Sequence, residues 1–277
     1  MRHARFAGAL ALLVLLSGAG GCRIAAPLAP LRGMIPTPAT MDAARSADPD
    51  FYPLDPGNRW HYRASLLRRV HHTDGTTEVL TDDHFEIATE LTCIDTSGGI
   101  PYQVEHTIES FANGTSAQAW SVYRQDRDGL WATALGVLDP CAQGLSSPGT
   151  GDRKLAYPLR PGASWVVREG FFPIVATVEG LEVLDLPVGH VPAWRIRLDR
   201  PGLYEPERDH SHVWYGRAGF LQLITHLEDD VVDNGVVTGV IEAEMRQTLD
   251  GVQLASPGRF ARDGALAQRR SAPGDPR

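Results

Sequence analysis

Apolar and polar residues alternate along most of the chain between residues 51 and 254. A period of two places successive side chains on opposite faces, which is typical of strands with one buried face and one face in water. No stretch of a dozen residues there has the 3.6-residue period of an amphipathic helix. The apolar positions of the clearest segments are the even ones from Trp60 to Leu66, Tyr102 to Ile108 and Trp194 to Leu198, and the odd ones from Phe85 to Cys93 and Ile241 to Met245.

Turn-forming pairs separate these segments. Asp74-Gly75, Asn113-Gly114, Asp128-Gly129 and Asn234-Gly235 supply the positive φ that tight hairpins need. Sequential hairpins predict an all-β, mostly antiparallel meander of about ten to twelve strands with few or no helices. Such a sheet must cover its apolar face as a barrel, a sandwich or a curved half-barrel, and the sequence leaves these open.

The first 21 residues have the composition of an export signal. Arg2 and Arg5 precede an apolar run from Phe6 to Leu16, which is shorter than the roughly 20 residues that span a bilayer as a helix. Small residues then lead to Cys22, and the arrangement resembles the bacterial lipobox, in which the cysteine is lipidated. Because Ala19 stands where the lipobox usually has leucine, ordinary cleavage before Cys22 and secretion is the alternative.

Proline-rich segments flank the predicted β-rich domain of residues 51–254. Residues 22–50 combine the candidate lipidated cysteine with a Pro- and Ala-rich stretch that predicts an extended tether. Residues 255–277 have no periodic apolar face, which predicts a disordered tail. Arg23, in place of an aspartate after the cysteine, resembles the pattern of lipoproteins that are sent to the outer membrane. These features predict a lipid-anchored protein of the cell envelope, facing the periplasm or the cell surface.

Charge and cysteine content narrow the setting further. Without residues 1–21 the chain has 24 basic and 34 acidic side chains, so the phosphates of nucleic acid or of an anionic lipid surface would repel it. Membrane contact is therefore expected through the lipid anchor. Cys93 and Cys141 form an even pair that predicts a disulfide in an oxidising compartment, with two buried free thiols as the alternative.

One phrase occurs twice along the chain. Tyr52 to Trp60 and Tyr157 to Trp165 share six of nine residues in the pattern Y-P-L-x-P-G-x-x-W. Pro-Gly forms a turn and the tryptophan after it begins a strand, so the phrase predicts how two strands enter the sheet. Its tryptophans are expected mainly in the core. The functional alternative is that they lie at equivalent sides of a cavity.

The phrase resembles the opening turn of a family of bacterial secreted and lipoprotein β-domains of uncharacterised function. Gly189–Trp194 and Trp214–Phe220 match the later strand and hairpin of that family, so the resemblance covers about residues 51–228 and implies an envelope β-domain. More loosely, the predicted architecture is similar to the half-barrel of LolA and LolB, which carry the acyl chains of lipoproteins in an apolar concavity. No binding residue follows from this likeness.

Other chemistry is weakly indicated. His210 and His212 could share a zinc ion on one face of a strand, yet nothing nearby in sequence completes a four-ligand shell. The sequence has no Gly-x-Ser-x-Gly elbow and no phosphate-binding glycine loop. We therefore expect neither an enzyme nor a bound metal or cofactor.

Two functions fit these predictions. The first is an envelope lipoprotein whose curved sheet binds or carries an apolar small molecule or a lipid. The second is a structural or interaction lipoprotein with a filled core that binds a protein partner of the envelope. For the first function, the candidate lining residues are Trp60, Tyr62, Trp120, Trp165, Trp194 and Trp214.

Overall fold

A computed structural model describes residues 52–96, 100–137, 139–143, 151–170, 173–201 and 208–255. The predicted signal peptide and tether, with Cys22, and all of the predicted tail except Ala255 lie outside these residues. The described part contains a short helix, α1 (Pro140–Gln143), and the strands β1 (Arg59–His72), β2 (Thr77–Asp95), β3 (Tyr102–Phe111), β4 (Ser116–Asp126), β5 (Gly129–Gly136), β6 (Asp152–Ala156), β7 (Ser164–Arg168), β8 (Ile174–Leu186), β9 (Gly189–Asp199), β10 (Asp209–Gly216), β11 (Gly219–Asp233) and β12 (Val236–Gln253).

All twelve strands belong to one antiparallel sheet, which confirms the predicted all-β fold class. Their order across the sheet is β6-β5-β4-β3-β2-β1-β12-β11-β10-β9-β8-β7. Each half of the chain is thus a six-stranded meander, and the two meanders join where β1 pairs with β12. No helix in the described ranges is long and apolar enough to cross a bilayer.

The sheet curves until its two edges, β6 and β7, lie side by side in a nearly closed barrel. Side chains bridge this seam: Trp165 Nε1 donates to the carbonyl of Arg153 at 2.9 Å, and the Arg168 guanidinium donates twice to the Asp152 carboxylate at 3.0 and 2.5 Å. No backbone ladder joins β6 to β7 within the described strands. Side chains therefore join β6 to β7, whereas backbone hydrogen bonds join the other neighbouring strands of the sheet.

The repeated phrase opens each half of the sheet in the same way. Gly57 and Gly162 follow a proline with φ of +89° and +81°, a region that favours glycine. Their N–H groups donate to β2 and β8 at 2.6 and 2.8 Å. Trp60 and Trp165 follow as the second residues of β1 and β7, and both are buried. The phrase thus sets equivalent strand entries, as the sequence predicts.

The two ends of the described chain are held together. Asn58 is buried, and its side-chain amide donates to the carbonyl of Pro53 at 3.1 Å. Its side-chain oxygen accepts a hydrogen bond from the Ala255 N–H at 2.8 Å. Because β1 and β12 are neighbours, the chain enters and leaves the barrel at one point.

A bulge in β2 changes the face on which Cys93 lies. The sequence alternation groups Cys93 with Leu91, but the register between β2 and β3 gains one residue between them. Cys93 therefore lies on the face opposite the fully buried Leu91. Cys141 of α1 is bonded to it there, so the expected disulfide is present and ties the helix to the outer face of the sheet.

The alternation also gives the wrong inward face for β3. It predicts that the even positions from Tyr102 to Ile108 are the buried ones. Instead Glu105, Thr107 and Glu109 pair with the inward-facing residues of β2, and antiparallel partners share a face. Val104 is also fully buried, on the face where the disulfide holds α1. As a result, carboxyl groups lie inside the barrel.

Candidate functional site

The interior of the barrel contains a cavity of about 290 Å³. Residues from both halves of the sheet, and one residue that precedes β1, form its wall. The wall combines aromatic rings and aliphatic side chains with carboxyl, amino, amide and hydroxyl groups. The lining residues are Tyr52, Tyr62, Ile87, Thr89, Glu105, Thr107, Glu109, Tyr123, Leu130, Lys154, Tyr215, Phe220, Leu223 and Gln247.

Four tyrosines, here called the tyrosine cluster, form much of the aromatic wall: Tyr52, Tyr62, Tyr123 and Tyr215. The ring centroid of Tyr52 lies 6.0 Å from that of Tyr123 and 6.2 Å from that of Tyr215. The Tyr62 hydroxyl donates to the carbonyl of Phe220 at 3.2 Å. Burial is the main cause that raises the pKa of all four phenols, so they stay protonated at neutral pH.

Glu105 is the buried carboxyl group of the cavity. Its residue is only 7% exposed, and the Tyr123 hydroxyl donates to Oε1 at 3.1 Å. Burial raises the pKa of Glu105 to about 7, although hydrogen bonds from Tyr123 and Thr107 act in the opposite direction. Glu109 lies on the same face of β3, and burial raises its pKa as well. The cavity therefore holds one carboxyl group that changes charge near neutral pH.

Lys154 supplies an amino group to the same cavity, beside the seam. Its Nζ lies 3.2 Å from Asp152 Oδ2, and Asp152 also accepts the hydrogen bonds from Arg168. Burial lowers the pKa of Lys154, although Asp152 acts in the opposite direction. Burial would raise the pKa of Asp152, but the two cations outweigh it and lower that pKa. The positive charge of Lys154 thus already has a carboxylate partner.

Five of the six residues that the sequence proposes as a cavity lining are buried, but they have different surroundings. Tyr62 lies on the cavity wall. Trp60, Trp165 and Trp194 belong instead to the packed core around the cavity, and they are 1%, 7% and 3% exposed. Trp60 Nε1 donates to a backbone carbonyl of the β10–β11 turn at 2.5 Å. These three rings support the barrel without lining its cavity.

Of the remaining two, Trp120 lies on the opposite face of the sheet, whereas Trp214 is 7% exposed and belongs to the same core cluster as Trp60. Trp120 pairs with His106, next to the inward-facing Glu105, and its ring stacks on that of His106 with centroids 4.1 Å apart. Trp214 precedes the cavity-lining Tyr215, and its Nε1 donates to Glu182. Neither ring contacts the cavity.

The histidine pair on β10 also lies on the outer face. The ring of His210 is 5.8 Å from that of His212 and 5.3 Å from that of His226 on β11. His212 Nε2 is 3.3 Å from a Glu179 oxygen, and His226 Nε2 is 3.2 Å from a Glu228 oxygen. Within the described residues, no group of three histidine, cysteine or carboxylate side chains is placed to hold a metal ion.

Sequence reasoning missed Glu105, Lys154 and most of the tyrosine cluster. In the sequence, Glu105 occupies a polar position of an alternating strand, which indicates a solvent-facing side chain. The register with β2 reverses this face, and no local pattern shows that register. A signal did exist for Tyr215: in the pair Trp214-Tyr215 only one of two adjacent rings can face inward.

No family model matches this chain, and no curated protein matches it. Two solved structures are similar to it: a protein of inferred export with a YmcC-like fold from Bacteroides fragilis and an inferred lipoprotein from Parabacteroides distasonis. Their sequence identities are 10% and 11% and their TM-scores 0.37 and 0.34. Each alignment covers 73% of this chain and 98% of the other. The resemblances to a turn-phrase family and to LolA and LolB stay predictions.

Proposed function

We propose that this protein is an exported lipoprotein of the cell envelope that binds a small, partly polar molecule inside its barrel. Cys22 would carry the lipid anchor and residues 23–50 would hold the barrel away from the membrane. The observation that supports binding most strongly is the cavity, because its wall combines apolar rings with polar groups. Ligand sites in proteins commonly have this composition.

The cavity favours a small amphipathic ligand over a long acyl chain. Its volume of about 290 Å³ is at the lower end of the range for small-molecule sites. A wholly apolar ligand would also remove water from Glu105 and Lys154 without offering them hydrogen bonds, which is costly for buried polar groups. The ligand is therefore expected to carry at least one polar group.

The lining residues support binding more than catalysis. No serine, cysteine or histidine is among the described residues that line the cavity, so the Ser–His and Cys–His pairs of many hydrolases are missing from its wall. The tyrosine hydroxyls stay protonated and act as hydrogen-bond donors. We therefore propose a non-enzymatic role.

A protein partner is the second candidate, because an apolar area lies away from the cavity. The turns at the far ends of β1–β2 and β11–β12 are adjacent, since the Thr73 N–H donates to the Thr238 carbonyl at 3.0 Å. Exposed apolar side chains near these turns are Val79, Leu80, Val232, Val236 and Val237. An interaction lipoprotein would use this surface and leave the cavity without a ligand.

Extraction of the bound molecule tests the main proposal. The full chain, purified in mild detergent from its own host, is denatured and its organic extract is analysed by mass spectrometry. Thr107→Phe places a ring in the cavity, and Ser110→Phe places the same ring on an exposed position of β3 as the control. We expect one small molecule with the wild type and with Ser110→Phe, and none with Thr107→Phe. A wild type without any small molecule contradicts the proposal.

The anchor is tested separately by metabolic labelling. Cells supplied with alkyne-tagged palmitate are expected to label the wild type and not Cys22→Ser, because the thiol is the acylated group. An unlabelled wild type, processed before Cys22, would establish the secreted alternative.

A further inference from the structure

We infer, on the basis of the proposed function, that the ligand is an organic cation, an amine or quaternary ammonium compound. Its positive charge would lie between the Glu105 carboxylate and the rings of the tyrosine cluster. Three features of the cavity lead to this class: the balance of charge, the aromatic surroundings of Glu105 and the unused hydroxyl groups.

The charge in the cavity that lacks a partner is negative. Lys154 is paired with Asp152, which in turn binds Arg168. By contrast, neither Glu105 nor Glu109 forms an ion pair with a lysine, arginine or histidine of the described residues, and both line the cavity. A buried carboxylate without a counter-charge is costly, and a bound cation would supply that charge. An anion would find only an amino group that already has a partner.

The aromatic wall suits a cation for a separate reason. The face of an aromatic ring carries partial negative charge and attracts ammonium groups, most strongly where water is excluded. After burial, the charge of Glu105 is a further cause of the raised pKa of each member of the tyrosine cluster. The carboxylate therefore lies within electrostatic range of all four phenol groups, and it lines the same cavity as their rings.

Two hydroxyl groups of the cluster remain for a polar group of the ligand. Tyr62 and Tyr123 donate to Phe220 and to Glu105, respectively. No hydrogen bond links the hydroxyls of Tyr52 or Tyr215 to another described residue, although both side chains line the cavity. They can hydrogen-bond to a hydroxyl or carbonyl of the ligand, so an ammonium compound with a short polar arm fits best.

Cation binding must be linked to the ionisation of Glu105. The free protein holds this carboxyl group partly protonated near neutral pH, because its pKa is about 7. A cation binds the ionised form better, so it displaces the proton and its affinity rises as pH increases through 7. Above that pH the affinity becomes constant, provided that the charge of the ligand does not titrate. A quaternary ammonium probe meets that condition.

Three probes of nearly the same shape test the inference by calorimetry on the full chain in mild detergent. Choline carries a positive charge, 3,3-dimethylbutan-1-ol is its uncharged carbon analogue and 3,3-dimethylbutanoate is an anion. At pH 8 we expect choline to bind about tenfold or more tightly than the alcohol, and the anion not to bind. Glu105→Gln is expected to reduce this preference, leaving only the contribution of the aromatic rings, and to abolish its pH dependence. Glu169→Gln, at an exposed position, is the matched control and is expected to retain both.

The other outcomes overturn the inference in distinguishable ways. If the alcohol binds as tightly as choline, the cavity binds small molecules as proposed but does not select a cation. If the anion binds best, Lys154 determines the ligand class and the inference is wrong. If none of the three binds, the inference is also wrong, and the extraction experiment with Thr107→Phe decides whether the cavity has a ligand of another kind.

Discussion

The buried carboxyl group of Glu105 predicts an unusual dependence of stability on pH. Folding raises its pKa from 4.5 to about 7, so the folded protein binds this proton more tightly than the unfolded chain does. The contribution of such a group to the free energy of unfolding is largest below pH 4.5. It decreases as pH rises to 7 and remains low above that pH. Most carboxylates have the opposite effect, because folding usually lowers their pKa.

The magnitude follows from the two pKa values. Each pH unit between them is worth about 1.36 kcal/mol, so ionising Glu105 in the folded protein costs roughly 3 kcal/mol at pH 8. At pH 5 the same linkage gives a cost of about 1 kcal/mol, since the unfolded carboxyl group is by then mostly ionised. The group therefore destabilises the protein by about 2.5 kcal/mol more at pH 8 than at pH 5.

Glu105→Gln isolates this effect, since the amide has nearly the shape of the neutral carboxyl group and never ionises. Urea unfolding, followed by tryptophan fluorescence at pH 5 and pH 8, gives the free energy of unfolding of each protein. We expect the variant to gain about 2.5 kcal/mol relative to the wild type between the two pH values. Glu169→Gln, at an exposed position, is expected to show no such change. If the free energies of unfolding of Glu105→Gln and the wild type differ by the same amount at both pH values, the inference that Glu105 is a buried carboxyl group without a counter-charge is refuted.

Other parts of the barrel give three further predictions. Replacing Cys93 and Cys141 by serine removes a crosslink with a sequence separation of 48. The free energy of unfolding in denaturant is expected to fall by about 4 kcal/mol, and adding reductant is expected to lower it no further. Asp152→Asn removes the carboxylate that pairs with Lys154 and closes the seam, which is expected to cost about 1–3 kcal/mol in the same assay; an unchanged stability would contradict this role. Trp165→Phe is expected to lose about 1–3 kcal/mol while keeping the extracted ligand, because its ring supports the core and does not line the cavity.

Local sequence patterns predict the strands and most of the turns of this protein, although Gly129 of the Asp128-Gly129 pair begins β5 without the expected positive φ. The Pro-Gly turns of Gly57 and Gly162, and the Asn234-Gly235 hairpin with φ of 51° and 82°, have the conformations that their residue types favour. Strand faces are also correct where the alternation runs without interruption, as in β1, where Trp60 and Tyr62 face inward. These features depend on neighbours in sequence, so the sequence displays them directly.

The cavity depends on pairings between distant segments, and for that reason most of its residues, unlike Tyr62, were not predicted. One extra residue between Leu91 and Cys93 shifts the register between β2 and β3 by one residue. As a result Glu105 pairs with the inward-facing Leu91, and its side chain faces inward. Alternation alone assigns the opposite face to an acidic residue, because burying it is costly. Ring size does not identify the lining either: Trp165 and Trp194 fill space in the core, whereas the smaller Tyr62 and Tyr215 border the cavity.

The position of β1 within the sheet would have a mechanical consequence under the proposed anchoring through Cys22. β1 is paired along almost its full length with β2 on one side and β12 on the other. A pull on the chain before Tyr52 must first draw this buried ring out of the core, and it then acts on a strand with two partners, where the hydrogen bonds on both sides must break together. An edge strand would instead peel away one bond at a time. The same order places β6 five strands from β1 and β7 six strands from it across the sheet, although Tyr52, just before β1, packs in one core cluster with Leu155 of β6 and Trp165 of β7.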